Sequence, residues 1–176
     1  VMEQYQDPAA ENQFGKLKPL RTLVVDDNEI NRDILDDWLR AWGMAPVLAE
    51  SAAQARQLLD EYAKTDYPFE LLLTDWAMPE MNAGVLLDSL AAESEFDALA
   101  VIILCPAGVA IQESLADRAL MLFKPARQTE LHGLISQVAA GDFIYQPLGG
   151  SQALSGGQAG KTGVAHLPKL APLQGR

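Results

Sequence analysis

The sequence predicts an α/β fold in which helices cover both faces of a parallel β-sheet. Short apolar runs alternate with amphipathic helical segments through the middle of the chain, which is the pattern of strands joined by crossover helices. The apolar runs are continuous, as in "LAVIIL" (Leu99–Leu104), and continuous runs are typical of strands buried on both faces. Turn residues separate the segments, since Gly43 is placed to end the first helix and Ser51 to begin the second.

Five strands and five helices are predicted in alternation along the chain. The strands are runs rich in Leu, Val and Ile, and they cover Leu20–Val25, Ala45–Ala49, Phe69–Thr74, Leu99–Leu104 and Ala119–Phe123. The helices have apolar residues at helical spacing, most weakly in the fourth, and they cover Glu29–Trp42, Ser51–Ala63, Gly84–Ala92, Val109–Asp117 and Arg127–Ala140. The first helix is predicted to bury a stripe made of Ile30, Ile34, Leu35, Trp38, Leu39 and Trp42.

The two ends of the chain differ in composition from the middle. Val1–Lys18 is polar and is predicted to be a linker. The C-terminal part from Gly141 onward holds eight of the 13 glycines, and a composition rich in Gly, Ser and Gln is typical of flexible linkers. We therefore predict a linker over 1–18, one domain over 19–141 and a flexible linker or tail over 142–176.

The overall composition excludes some partners and compartments. A net charge of −11 argues against nucleic acid or an anionic membrane as the main partner, and it allows a metal cation or a basic protein surface. The single cysteine, Cys105, cannot form an intramolecular disulfide and suits a reducing compartment. No apolar run approaches the length of a membrane span, and no signal-peptide pattern opens the chain. We therefore expect a cytoplasmic segment, cut from a longer protein since it begins at Val1.

Charged residues follow three of the five predicted strands. Asp26 and Asp27 come after the first strand, Asp75 after the third and Lys124 after the fifth. In a parallel sheet the carboxyl ends of the strands meet at one edge, which is where ligands bind. Each of these acids alone could equally be a loop or capping residue, but their joint placement favours a site.

The chemistry of such a site suits phosphoryl transfer. Three neighbouring carboxylates raise one another's pKa unless a cation lies among them, and Mg²⁺ prefers carboxylate and carbonyl oxygens. A metal ion and a lysine together offset charge on the oxygens of a transferred phosphoryl group. Asp75 would then be the nucleophile and would form an aspartyl phosphate.

Three stretches resemble the receiver domain of two-component signalling. They are "LVVDDNEINRDIL", "LLLTDWAMPEM" and "FKPARQTEL", and the resemblance covers about Leu20–Ala140. It implies a flavodoxin-like sandwich of three layers, with a five-stranded parallel sheet in the order 2-1-3-4-5. The flanking segments resemble the linkers around receivers in hybrid sensor histidine kinases, so the resemblance implies that kind of parent protein.

The resemblance also implies roles for individual residues. It implies Asp75 as the phosphoacceptor, with Mg²⁺ held by Asp27, Asp75 and the backbone carbonyl of Ala77 and with Asp26 acting through water. Lys124 would contact a phosphoryl oxygen, and a cis peptide bond is expected before Pro125. The implied partner is the phosphodonor domain of a histidine kinase or a histidine phosphotransfer domain.

Other positions depart from the family pattern. Cys105 stands where the family has a Ser or Thr hydroxyl, and a thiol is a weaker hydrogen-bond donor. Pro106 follows it and has no backbone N–H, and Met121 replaces the aromatic residue three positions before the lysine. The usual Asp-Gly after the Met-Pro turn is Asn82-Ala83. The metal and acceptor residues thus match the family, whereas the residues that respond to phosphorylation are altered.

Three functions are compatible with these features. The first hypothesis is a phosphoacceptor receiver in a histidine-to-aspartate phosphorelay, phosphorylated on Asp75 with Mg²⁺. The alternative is a pseudo-receiver, an interaction module that keeps the fold but does not switch by phosphorylation. The third is a Mg²⁺-dependent phosphohydrolase of another α/β family, which is disfavoured because no Asp-x-Asp pair ends a predicted strand.

Overall fold

The sheet has the predicted topology. The computed structural model describes residues 14–110, 115 and 118–142. Five parallel strands form one sheet in the order β2-β1-β3-β4-β5, which confirms the predicted order. The strands are β1 (Thr22–Val25), β2 (Val47–Ala49), β3 (Leu71–Asp75), β4 (Ala100–Cys105) and β5 (Leu120–Phe123).

The helices in the described ranges cover the sheet on both faces. They are α1 (Glu29–Ala41), α2 (Ala52–Ala63), α3 (Ala83–Ala91) and α4 (Gln128–Ala140), with a short 3₁₀ turn at Ser94–Phe96. Most of the predicted helix over Val109–Asp117 lies outside the described residues. None of the helices within the described ranges is long and apolar enough to cross a membrane.

Two hydrophobic cores, one on each face, make the fold a three-layer sandwich. Leu59 of α2 and Leu87 of α3 pack on one face of the sheet. Leu39 of α1 and Leu131 of α4 pack on the other. β3 lies at the centre, and all five of its residues are buried. The continuous apolar runs of the sequence are therefore explained by burial of the sheet on both sides.

Polar side chains cap α1, α2 and α3 at the edge where the strands end. The side chain of Asn28 accepts hydrogen bonds from the backbone N–H groups of Ile30 and Asn31. Ser51 and Asn82 cap α2 and α3 in the same way. These caps satisfy backbone donors that have no partner within the helix. Asn28 ends the loop that carries Asp26 and Asp27, and Asn82 ends the loop that follows Asp75.

The prediction that Ile30 and Ile34 belong to the buried stripe of α1 is wrong. Ile30 is 69% exposed and Ile34 is 42% exposed, whereas Leu35 and Leu39 are buried. The helix begins at the carboxyl edge of the sheet and runs back across it. Its first turn therefore lies beside the loops of that edge, and only its later turns reach the sheet.

The described segment before β1 packs against the rest of the domain. The backbone N–H of Leu17 donates to the carbonyl of Trp42 at 2.9 Å. The ring of His132 lies 5.2 Å from that of Phe14 and 5.0 Å from that of Trp42, between ring centroids. Nε2 of His132 hydrogen bonds to the carbonyl of Gly15 at 2.9 Å. Phe14 and Leu17 thus pack on the domain although they lie within the segment predicted to be a linker.

Candidate functional site

The structure brings the predicted charged residues together at one edge of the sheet. Asp26 directly follows β1 and is fully buried, and Asp75 is the last residue of β3 and is 3% exposed. Asp27 is exposed beside them. Lys124 directly follows β5. Residues that are far apart in the sequence therefore form one compact group, because parallel strands end at the same edge.

The three carboxylates are close enough to share a cation. One oxygen from each of Asp26, Asp27 and Asp75 lies within 4.8 Å of the other two. Mg²⁺ binds oxygen at about 2.0–2.1 Å, so two oxygens on one ion are at most about 4.2 Å apart. A small adjustment, or one carboxylate acting through water, brings the set within that limit. The donor set, all oxygen, is the kind that Mg²⁺ prefers.

Burial of Asp26 disfavours the ionised form of its carboxyl group. Its pKa is raised from the ordinary value, first by burial and further by the neighbouring charge of Asp75. A backbone hydrogen bond from Asn28, the charge of Lys124 and a hydrogen bond from Asn31 act in the opposite direction. A bound cation would favour the ionised form still more.

Lys124 is paired with the predicted acceptor. Its Nζ lies 2.8 Å from Oδ1 of Asp75, as an ion pair rather than a well-aligned hydrogen bond. The backbone N–H of Lys124 donates to the carbonyl of Cys105 at 2.7 Å, which ties the loop after β5 to the end of β4. The Lys124–Pro125 peptide bond is cis, as predicted. The ammonium group is therefore held at the acid group but remains partly accessible, with its side chain 31% exposed.

Cys105 occupies the predicted position at the end of β4 and is fully buried. Its Sγ lies 3.8 Å from the carbonyl oxygen of Ile103 and 3.6 Å from Sδ of Met121, on the neighbouring strand β5. Burial, together with the charge of Asp75, raises the pKa of the thiol to about 11, although Lys124 lowers it. Within the described residues, the hydrogen-bond partners of the thiol are thus a carbonyl and a thioether.

We predict that Cys105 resists alkylation in the folded protein. Iodoacetamide reacts with thiolate, and at neutral pH almost none of a buried thiol with a pKa of about 11 is ionised. Below pH 9, labelling of the folded protein should be about 100-fold slower than that of the urea-unfolded chain, because the thiol pKa of about 11 compared with the ordinary value of 9.0 lowers the thiolate fraction by about that factor. Mass spectrometry of timed samples measures both rates. Rapid modification of the folded protein at pH 7 would contradict this prediction.

Two residues near the acids were not singled out from the sequence. Nδ2 of Asn31 lies 3.2 Å from Oδ2 and 3.4 Å from Oδ1 of Asp26. Nη1 of Arg32 donates to the backbone carbonyl of Asp26 at 2.7 Å. Their position in the first turn of α1, shortly after the acid pair, was the feature of the sequence that could have indicated a contact with Asp26. Of the other predicted residues, Ala77 is exposed in the loop after β3, two positions beyond Asp75.

A cleft opens beside the acidic group. It has a volume of about 340 Å³ and lies between α1 and the loop after β5. Asp26 and Lys124 line it on the side of the acids, and Ile34, Trp38 and Pro125 give it an apolar wall. The charged site therefore borders an apolar surface.

A five-stranded parallel sheet in this order, with an acidic cluster and a lysine at its carboxyl edge, is the architecture of receiver domains. The chain belongs to the response regulator receiver domain family, whose model matches residues 22–136.

Individual relatives agree with this assignment. The chain is 36% identical over 90 residues to chemotaxis protein CheY1 of Helicobacter pylori, covering 51% of this chain and 69% of that protein. It is 27% identical over 135 residues to two-component response regulator ARR6 of Arabidopsis thaliana, covering 70% of this chain and 71% of that protein. A receiver domain structure from Clostridium thermocellum superposes with a TM-score of 0.61 at 22% identity, over 70% of this chain and 96% of that one. That structural likeness concerns the fold.

Proposed function

We propose that this domain accepts a phosphoryl group on Asp75 from a phosphohistidine, in a histidine-to-aspartate phosphorelay. The observation that carries the proposal is the joint placement of three carboxylates within 4.8 Å and Lys124 Nζ at 2.8 Å from Asp75 Oδ1. An isolated acid at a strand end has many structural explanations. An acidic group that is paired with a lysine at a sheet edge is a site arranged to receive a cation and an anion together.

The transfer is a displacement at phosphorus. A carboxylate oxygen of Asp75 forms the new bond to phosphorus, and the bond from phosphorus to the donor histidine nitrogen breaks. The electron pair of that bond leaves with the imidazole, which takes a proton from solvent. Lys124 faces the oxygens of the phosphoryl group and offsets their charge, so its contact with Asp75 is exchanged for one with the transferred group.

Mg²⁺ fits the acidic group. Asp27, Asp75 and the backbone carbonyl of Ala77 would hold the ion, with Asp26 acting through water. When bound, the ion supplies positive charge that offsets the negative charge on the phosphoryl oxygens during transfer.

The donor is proposed to be the phosphodonor domain of a histidine kinase or a histidine phosphotransfer domain, in the same protein or another. Receiver domains as a family interact with such proteins. Here, Ile30 and Ile34 are exposed on the first turns of α1, and the apolar wall of the cleft lies beside Asp26 and Lys124. A partner helix carrying apolar side chains around its histidine fits that surface. The resemblance of the flanking segments to hybrid-kinase linkers supports a hybrid sensor kinase as the parent.

A phosphate-affinity gel tests the proposal. The chain is incubated with acetyl phosphate and Mg²⁺, and a retarded band is expected that is lost when the metal is chelated. Mapping of the modified peptide should identify Asp75. A band that forms equally well in the presence of chelator, or no band under any condition, would contradict the proposed function.

We predict that phosphorylation changes the β4–β5 region only slightly. The family hydroxyl is replaced by the Cys105 thiol, which contacts Met121, and Pro106 offers no N–H. Each lost hydrogen bond to a charged group is worth about 1.5–3 kcal/mol, and a switch from nearly off to nearly on needs about 5.5 kcal/mol. The loss of two donors therefore removes much of the free energy that would couple phosphorylation of Asp75 to a change in the β4–β5 region.

Amide chemical shifts with Mg²⁺ and a beryllofluoride analogue measure this response. We expect shifts near Asp75 and Lys124 but small ones from Cys105 through Met121. A Cys105→Thr variant, which restores a hydroxyl, should show larger shifts along that path. Large shifts in the unaltered chain would show that the thiol serves the response as well as a hydroxyl does.

A further inference from the structure

The first turn of α1 holds Asp26 at two points. Nδ2 of Asn31 lies 3.2 Å and 3.4 Å from the two carboxylate oxygens of Asp26. Nη1 of Arg32 donates to the main-chain carbonyl of the same residue at 2.7 Å. One residue therefore orients the side chain, and the next in sequence fixes the backbone that carries it.

Asp26 is constrained further by its own loop. The backbone N–H of Asn28 donates to Oδ1 of Asp26 at 2.8 Å, and the N–H of Asp26 donates to the carbonyl of Ala49 at 3.2 Å. With its side chain fully buried, Asp26 has its orientation set by these contacts rather than by solvent. Loss of the contact from Asn31 would leave a single donor, in the backbone, on the carboxylate among the described residues.

Arg32 is a cation beside an acidic group, yet its hydrogen-bond partner is a backbone carbonyl. It makes no ion pair with any acid in the described part of the chain, and its side chain instead donates to the backbone carbonyl of Asp26. A guanidinium placed there for charge alone would be expected to pair with a carboxylate. Its geometry instead suits a structural hold on the loop between β1 and α1.

We propose that Asn31 and Arg32 are positioning residues that hold Asp26 in place for the cation of the acidic group. The proposal rests on the proposed function, since it concerns the same Mg²⁺ site. In that site Asp26 acts on the ion through water, and contacts outside the coordination sphere of this kind affect metal affinity about 10–100-fold when they are lost. Asn31→Ala is therefore expected to weaken Mg²⁺ binding about tenfold.

Replacement of Arg32 tests the proposal sharply, because the loss of its positioning contact and the loss of its charge change Mg²⁺ affinity in opposite directions. Removing a positive charge close to an acidic site strengthens cation binding if charge is the only effect. If Arg32 positions Asp26, Arg32→Met weakens Mg²⁺ binding in spite of the lost charge. Arg32→Lys, which keeps the charge and can still donate to the carbonyl, should fall between Arg32→Met and the unaltered chain.

Calorimetric titration with Mg²⁺ measures these affinities, and urea unfolding in the presence of chelator measures stability separately. Arg40→Met is the matched control, because Arg40 is exposed later on α1 and pairs with Asp36. It should leave Mg²⁺ affinity within about twofold of the unaltered chain, since the charge is exposed and screened. Asn31→Ser and Arg32→Gln serve as second variants if a first variant does not fold.

The outcomes separate this inference from the proposed function. If the unaltered chain binds no Mg²⁺, the proposed metal site is wrong and the inference falls with it. If the unaltered chain binds Mg²⁺ and loses it in Asp27→Ala, while Asn31→Ala binds normally or Arg32→Met binds more tightly, only the inference is overturned. Weaker binding in both variants, without a matching loss of stability in chelator, supports it.

Discussion

Asp75→Asn is expected to abolish phosphorylation of the domain completely. The amide keeps the shape of the side chain but removes the nucleophilic carboxylate. Asp75 is 3% exposed at the end of the central strand, so the fold constrains the position closely. The phosphate-affinity gel with acetyl phosphate and Mg²⁺ measures the loss, and circular dichroism establishes that the variant is folded.

The control for this result is Asp88→Asn. Asp88 lies on α3, has a side chain that is 71% exposed, and pairs with Arg118 away from the sheet edge. That variant should be phosphorylated as fast as the unaltered chain. Labelling that persists in Asp75→Asn, or that maps to His132, would show that another residue is the acceptor.

Lys124→Met is expected to slow phosphorylation while it strengthens the binding of Mg²⁺. Loss of one fixed charge that faces the reacting oxygens costs about 100-fold or more in rate. The same ammonium lies 2.8 Å from Asp75 and repels a cation there. Two unit charges about 4 Å apart near a protein surface interact by about 4 kcal/mol, so a tenfold gain in affinity, about 1.4 kcal/mol, is a conservative expectation for this partly exposed group.

Stopped-flow tryptophan fluorescence measures the rate of phosphorylation, and calorimetry measures the affinity for Mg²⁺. Arg127→Met removes the same charge from an exposed position three residues further on, and it should change both by less than about twofold. An equal loss of rate in both variants would mean that net charge, rather than the placement of Lys124, governs the reaction. Weaker Mg²⁺ binding in Lys124→Met would mean that the lysine supports the metal site instead of opposing it.

The sequence by itself determined the fold and the members of the acidic group. Continuous apolar runs such as Leu99–Leu104 specify strands that are buried on both faces, and all of β4 is buried. Asp26 and Lys124 directly follow strands of a parallel sheet and Asp75 ends one, so their meeting at one edge follows from topology alone. The capping residues Ser51 and Gly43 also act as predicted.

Only the tertiary structure decided which side of α1 is buried at each turn. Helical periodicity shows that Ile30, Ile34 and Leu35 share an apolar side, but it does not show where along the helix the sheet begins. The first turn lies at the edge of the sheet, so Ile30 and Ile34 are exposed beside the acidic group while Leu35 is buried.

The contacts within the site were also decided by tertiary structure. The hydrogen bonds from Asn31 and Arg32 to Asp26, and the contact of Cys105 with Met121, depend on distances and side-chain conformations that residue order does not specify. A sequence pattern places residues on an element, whereas hydrogen bonds require atoms within about 3.5 Å at suitable angles. That condition is met only once the strands and helices have packed, which is the physical reason why the acids were predictable and the residues that hold them were not.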